Sequence, residues 1–410
     1  MKRGAFYRMN SRGRQRGISL VETMIGLVVG MVASLVIIQS FSSSESYRRN
    51  LSGSADAMQN AAIAGGYLDM VLQEAGASLV QGRNVWGCRL LVSRGGSAVI
   101  PRGSVYPAPF ANFPTRVRVL PLGILDGGSG SDVIMVMFGN SGTGNRDVPF
   151  DATSDGLTMN VTNNNGVGLK STGQSPTDLF LSVPQEVSAG PGDCQIVQTT
   201  SAFSNGSPVV DPSLDLSVMP STVSGTASLT TIPLNRATYG ALISSANSPS
   251  AFHLGRESSP IFSLISVNGN GELVDYDMLG RNGAQTFGEN IFLLKARYGL
   301  DNGNNGGIAN DNVIDEWVSP AASGWTLSSL MDGTGSTEQK VDQIKAVRLA
   351  VVTRSSQVVN SDATTTQLTL FPDLELSRQV SRSLSSEEQK YQYQIFDWVI
   401  PLRNMKATPK

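Results

Sequence analysis

The sequence predicts an α+β protein, with a long N-terminal helix and a mostly antiparallel β head domain with long loops. Three observations predict it. Residues 16–41, RGISLVETMIGLVVGMVASLVIIQSF, form an apolar run of helix length. Between residues 55 and 75, small and apolar residues recur at helical spacing. Beyond Gly76 the chain breaks into short apolar or alternating runs separated by Gly, Ser, Asn and Pro.

The N-terminal element has three parts. Six basic residues (Lys2, Arg3, Arg8, Arg12, Arg14 and Arg16) precede the apolar run, and the positive-inside bias predicts that they stay in the cytoplasm. The run then carries one acid, Glu22. A carboxylate at the centre of a membrane helix costs up to roughly 2.5–3.5 kcal/mol, so such a residue normally has a partner. The spacing supplies one: a cut after Gly17 would place a new amino group on Ile18, four residues before Glu22, and the two charges could pair between neighbouring copies. A secretory signal peptide would have a shorter apolar core and a small-x-small cut, which Ser40 to Ser44 match poorly. An ordinary signal anchor accounts for the apolar run and the basic leader, but has no use for Glu22 or Gly17. Gly26 and Gly30 form a Gly-x-x-x-Gly pair, read either as a site of close helix–helix approach or as local flexibility.

The second helical stretch has Met58, Ala61, Ala64, Leu68, Val71, Leu72 and Ala75 on one face, the pattern of a helix lying on a core. Gly53, Gly65 and Gly66 weaken it by about 1 kcal/mol each relative to Ala, and Gly76 is a natural stop. A helix from Ile18 to Gly76 would be roughly 90 Å long at about 1.5 Å per residue. In the head, strands are expected at 116–122, 132–138, 157–162, 178–183, 195–199, 229–232, 261–267, 272–278, 291–298, 346–353, 367–371 and 393–402. The Asn-Gly-Asn-Gly of residues 268–271 is a hairpin signal between two of them. Intervals 139–156, 163–176, 201–226 and 302–312 read as loops. No internal repeat is present.

The chain has 410 residues, 16% of them charged, and 43 glycines. Its formal net charge of −2 becomes −8 without the six basic residues of the leader. A mildly acidic surface argues against nucleic acid as a main partner, because phosphate binding needs clustered Lys and Arg. The two cysteines, Cys88 and Cys194, form one disulfide in an oxidising compartment or remain two buried thiols. Closing a loop of roughly a hundred residues would contribute about 4–5 kcal/mol in the chain-entropy model. Two Cys and one His, His253, cannot make an ordinary four-ligand zinc site. The glycine-rich stretches at 127–130 and 333–337 lack the Gly-Lys-Ser/Thr of a phosphate loop, and no nucleophile elbow is present. Neither catalysis nor a cofactor is expected. Asp301, Asn305, Asp311 and Asp315 offer hard oxygen ligands for calcium, although the acid at the twelfth EF-hand position is missing and a solvated loop is the stronger reading.

The N-terminal arrangement resembles the class III signal of type IV prepilins, in which a basic leader ends in Gly and a Glu follows five residues later. The head resembles the PilW branch of minor pilins. LQEAG (72–76) with Gly87-Cys88, GSDVI (130–134), ENIFLLKARYGLD (289–301), AVRLAVVTRS (346–355) and VIPLRN (399–404) occur in that family's order. Two departures are visible: Ile18 stands where the family usually has Phe, and Gln39 where major pilins place a kinking Pro. The second fits a minor subunit. The resemblance implies a pilin-like fold divided into a leader (1–17), a transmembrane and assembly helix (18–41), its amphipathic continuation (42–76) and a β-rich head (77–410). It also implies cleavage between Gly17 and Ile18 by prepilin peptidase, N-methylation of Ile18, and registration of subunits by Glu22. Expected partners are other minor pilins, the major pilin and the inner-membrane assembly platform. The expected location is the inner membrane with a periplasmic head, then the pilus or cell surface. The expected role is initiation of pilus assembly, supporting twitching motility and adhesion. A type II secretion pseudopilin would share the N-terminal features, and a signal-anchored periplasmic binding protein would keep its leader.

Overall fold

A computed structural model describes residues 17, 19–79, 85–94, 97–141, 147–152, 158–161, 178–183, 191–198, 201–202, 209–210, 230–233, 250–256, 258–358 and 365–406. The chain divides into two compact units, Met1–Gly53 and Ser54–Lys410. Helix α1 (Leu20–Gln73) contributes to both, and each unit is described by itself.

Within the second unit the helix buries Ala57, Ala61, Ala64, Leu68, Val71 and Leu72, spaced three and four apart as one face requires. Met58 is a correction to the predicted face: it is 60% exposed, because one residue of helix turns it about 100° away from the stripe that Ala57 continues. Gly65 is also more than a weak point. A Cβ there would stand 2.8 Å from the Trp398 ring, so its bareness lets the indole lie on the helix. Gly76 ends the turn after the helix with φ 79°, and its N–H donates to the Met137 carbonyl at 2.9 Å.

The strands begin with β1 (Arg89–Arg94), β2 (Ser97–Ile100), β3 (Leu122–Leu125), β4 (Val133–Phe138), β5 (Asp147–Ala152), β6 (Thr158–Val161) and β7 (Asp178–Val183). Next come β8 (Asp193–Gln198), β9 (Ser201–Ala202), β10 (Val209–Val210), β11 (Thr230–Pro233), β12 (Ser250–Arg256), β13 (Ile261–Val267) and β14 (Leu273–Asp277). The series closes with β15 (Gln285–Gly288), β16 (Ile291–Leu300), β17 (Glu316–Val318), β18 (Ile344–Arg354), β19 (Gln367–Leu370), β20 (Val380–Ser383) and β21 (Tyr393–Pro401). Two short helices, α2 (Leu327–Leu330) and α3 (Ser336–Gln343), precede β18.

Three sheets dominate. Their orders are β11-β6-β5-β12-β7-β8-β1-β2, β15-β14-β13-β4-β3 and β17-β16-β18-β21. Among the described residues β1 with β8 is the one parallel pairing. The strand expected at 116–122 is instead an extended segment with a single bridge to Arg89. Pro114 and Pro121 bracket it, and the strand proper starts only after Pro121, at β3. The 139–156 interval is not all loop, because β5 lies inside it, while 163–176 falls outside the described residues.

One buried ion pair ties the second sheet to the third. Lys295 of β16 and Asp132, just before β4, are both fully buried, with Nζ 2.6 Å from Oδ1. The same carboxylate accepts the N–H groups of Gly127 and Ala296, each at 2.9 Å. Asp132 N–H donates to the Leu294 carbonyl at 2.8 Å, and Leu294 N–H to Ser131 Oγ at 3.1 Å. Burial pushes the Asp132 carboxyl up, opposed by Lys295 and the two amides. Removing one partner of a buried pair leaves the other charge uncompensated. Asp132→Ala is therefore expected to lower stability in urea unfolding by about 3–5 kcal/mol. Asp132→Leu combined with Lys295→Met should recover much of that loss.

Candidate functional site

Among its described residues the N-terminal unit is almost entirely helix. Leu20–Ser42 is long and apolar enough to cross a membrane, and none of it is buried. Thr23 N–H donates to the Ser19 carbonyl, which places Glu22 in the first turn. There a carboxylate faces the positive end of the helix dipole, a favourable position by about 0.3–1 kcal/mol. Glu22 is thus near a helix end, where the cost of an acid is smaller than at the centre. Thr23 Oγ1 and Ser34 Oγ donate to the carbonyls of Leu20 and Gly30, each at 2.8 Å, so these hydroxyls are satisfied within the helix. Gly26 and Gly30 have nothing within 4 Å of where a Cβ would sit, leaving that stripe open to a second helix. Gly17 is exposed. Ile18 lies outside the described residues.

Cys88 and Cys194 are joined, with Cα atoms 5.7 Å apart and a sequence separation of 106. The bond runs alongside the parallel β1–β8 pairing, where Leu90 faces Cys194. It therefore staples the segment after the helix to the eight-stranded sheet.

The Asp301–Asp315 loop is closed by its own acids. Asp301, fully buried, accepts the N–H groups of Asn310 and Asn312. Asp315 accepts those of Asn302 and Gly303 at 2.7 and 2.6 Å. Asp311 accepts from Val313 N–H at 2.8 Å, and Asn305 Nδ2 donates to the Asp315 carbonyl at 3.2 Å. The carboxylates of Asp301, Asp311 and Asp315 thus accept from the loop's own N–H groups, and among the described residues no group of three acids, His or Cys is placed to hold a metal. Burial works against ionisation of the adjacent Glu316, but Asn302, Asn304 and Arg378 outweigh it and hold this carboxyl below its usual range.

His253 is buried, its ring 5.0 Å from that of Phe180 and its Nδ1 2.7 Å from Ser141 Oγ. One feature the sequence did not suggest is a cavity of about 430 Å³. Tyr67 and Phe287, stacked at 3.8 Å, form one wall. Asp275 bonds the Tyr67 hydroxyl, and Asp277 binds Arg281 at 3.0 Å. Burial raises the Asp275 carboxyl, with the Tyr67 hydrogen bond opposing. These groups come from α1, β14, the turn after it and β15, which no local sequence pattern links.

Residues 265–404 match the family model described as type IV pilus-assembly protein W (PilW). Over those residues the chain is similar to the PilW family. The PilW match covers about a third of the chain, from within β13 through β21, and so includes the whole four-stranded sheet. The matched family is described as one of type IV pilus assembly. The apolar N-terminal helix is consistent with a membrane-anchored component. No curated protein and no solved structure matches the chain.

Reduction of the Cys88–Cys194 bond, or replacement of both residues by Ala, is expected to lower head-domain stability by about 2–5 kcal/mol. Peptide mapping without reductant should recover the two cysteines in one linked fragment.

Proposed function

We propose that this chain is a PilW-family minor pilin that helps to initiate type IV pilus assembly, and that it performs no catalysis. The observation that carries this reading is the pilus-assembly match over 265–404. The prepilin-like arrangement of Gly17, Ile18 and Glu22 supports it. In this reading the leader stays in the cytoplasm, prepilin peptidase cuts between Gly17 and Ile18, and Ile18 is N-methylated. The head domain faces the periplasm. The new terminal ammonium of one subunit then meets Glu22 of a neighbour, so that two charges that would each be costly in lipid neutralise one another. Gly26 and Gly30 let the helices approach closely. Other minor pilins, the major pilin and the inner-membrane platform are the partners, and twitching and adhesion are downstream of assembly. A pseudopilin of type II secretion would share the N-terminal chemistry, but the family match favours the pilus.

The first test is the N-terminus and intact mass of membrane-extracted protein, with and without prepilin peptidase. A peptidase-dependent start at Ile18 is expected; a retained leader in both strains would overturn the proposal. Glu22→Ala should insert normally yet fail to enter pili, and normal piliation with this variant would remove the registration mechanism. A deletion strain should lose surface pili; retained pili with failed exoprotein secretion would point to the secretion system.

A further inference from the structure

The buried pair of Asp132 and Lys295 has a third member. Asp126 follows β3 directly and Asp132 stands just before β4, so one hairpin turn carries both acids. The turn is tight, its Gly130 N–H donating to the Gly127 carbonyl at 3.0 Å. It brings both carboxylates to one amine. Lys295 Nζ is 2.6 Å from Asp132 Oδ1 and 3.4 Å from Asp126 Oδ1. The Lys295 and Asp132 side chains are 2% and 0% exposed, whereas that of Asp126 is 32% exposed. Gly128 N–H donates to Asp126 Oδ2 at 3.2 Å, which leaves the other oxygen toward Lys295. Arg297, two residues along β16, donates instead to the Ala296 and Arg378 carbonyls.

The amides that offset the cost of burying Asp132 also prepare it for attack. Gly127 N–H is 2.9 Å from Oδ1 and Ala296 N–H 2.9 Å from Oδ2. Donors placed on both oxygens draw charge from the carboxyl carbon and stabilise an oxyanion formed there. An amine held in contact reacts as if at very high concentration, and a closed core excludes the water that would compete. We infer that Lys295 Nζ and Asp132 Cγ condense to an intramolecular amide, with Asp126 carrying the proton. Proton transfer across the 2.6 Å contact first gives the amine and the carboxylic acid, the form toward which burial pushes Asp132. The nitrogen lone pair then attacks Cγ, the C–N bond forms, and the resulting oxyanion is held by a backbone N–H. Asp126 takes a proton from that nitrogen and delivers it to the hydroxyl on Cγ. The C–O bond breaks, the oxyanion returns to a carbonyl, and one water leaves on the side of the partly exposed Asp126. Nothing is oxidised or reduced, and no co-reactant is needed. The ion pair described above is the state before reaction. The bond spans a sequence separation of 163 and ties the second sheet to the third. This inference does not depend on N-terminal processing or on the pilus reading.

The test is a tryptic digest of the full-length chain, extracted in detergent and reduced. Trypsin cannot cut after an acylated lysine. Residues 119–146 and 282–297 are therefore expected as one branched fragment, lighter than the two together by one water. Asp126→Asn keeps an oxygen for the Gly128 N–H and is expected to leave the circular dichroism of the head unchanged. It should slow the appearance of the branched fragment after a pulse of synthesis by about a hundredfold. Full recovery of free 119–146, with a separate fragment ending at Lys295, would overturn the inference and leave an ion pair only. Linkage in Asp126→Asn at the unsubstituted rate would overturn the role given to Asp126.

Discussion

The head rests on a charge that has no access to water. Asp132 and Lys295 are 163 residues apart in sequence, yet each is the other's counter-ion inside the core. Removing both from solvent costs several kcal/mol per ion, and only close geometry with further hydrogen bonds offsets it. The chain meets this requirement with the Gly127 and Ala296 amides, while the Asp132 N–H donates to the Leu294 carbonyl and the Leu294 N–H to Ser131 Oγ. These bonds are directional in a way that apolar contacts are not. They fix β4 against β16, and so one sheet against the next. Tyr298 adds a second tie, its hydroxyl accepting the Ile124 N–H at 2.6 Å.

The α1 sequence changes solvent partway along. Its first part presents Leu20, Val28, Leu35 and Phe41 to the outside, a surface that water does not favour. Its last part buries only one stripe, with alanines at its start and Leu68, Val71 and Leu72 at its end. Small residues bring helix and sheet close enough for the Trp398 ring to rest on Gly65. The two patterns answer different demands, an apolar environment on all sides for one and a single packed face for the other.

Much of this was legible in the sequence, because the signals were local. The β13–β14 hairpin follows from Asn268 and Gly271: the Asn268 side chain accepts the N–H groups of Asn270 and Glu272, and Gly271 takes φ 79°. β7 and β13 have the predicted ends because each is a clean apolar run between breakers. β12 escaped because SAFHLGR mixes His and Gly into its apolar run, and its left-handed Gly255 marks an irregular register. The ion pair and the Asp275–Tyr67 contact were illegible for another reason. Each depends on which distant segments meet, and periodicity carries no record of that. The acids of the 301–315 loop show the converse: the composition suggests cation ligands, while the geometry turns the oxygens onto the loop's own amides.

The family match and the sheets divide the head in a way that bears on function. The residues matched to PilW build the four-stranded sheet and part of its neighbour. The eight-stranded sheet is assembled from β1, β2, β5 to β8, β11 and β12, none of which lies in the matched segment. The disulfide and the parallel β1–β8 pairing lie within this sheet, and backbone bonds from Leu90 to Val117, Val119 to Cys88 and Asn140 to Leu254 join it to the rest. What the chain shares with that family model therefore lies in the β16–β18–β21 sheet and part of its neighbour, and the eight-stranded sheet lies outside the match.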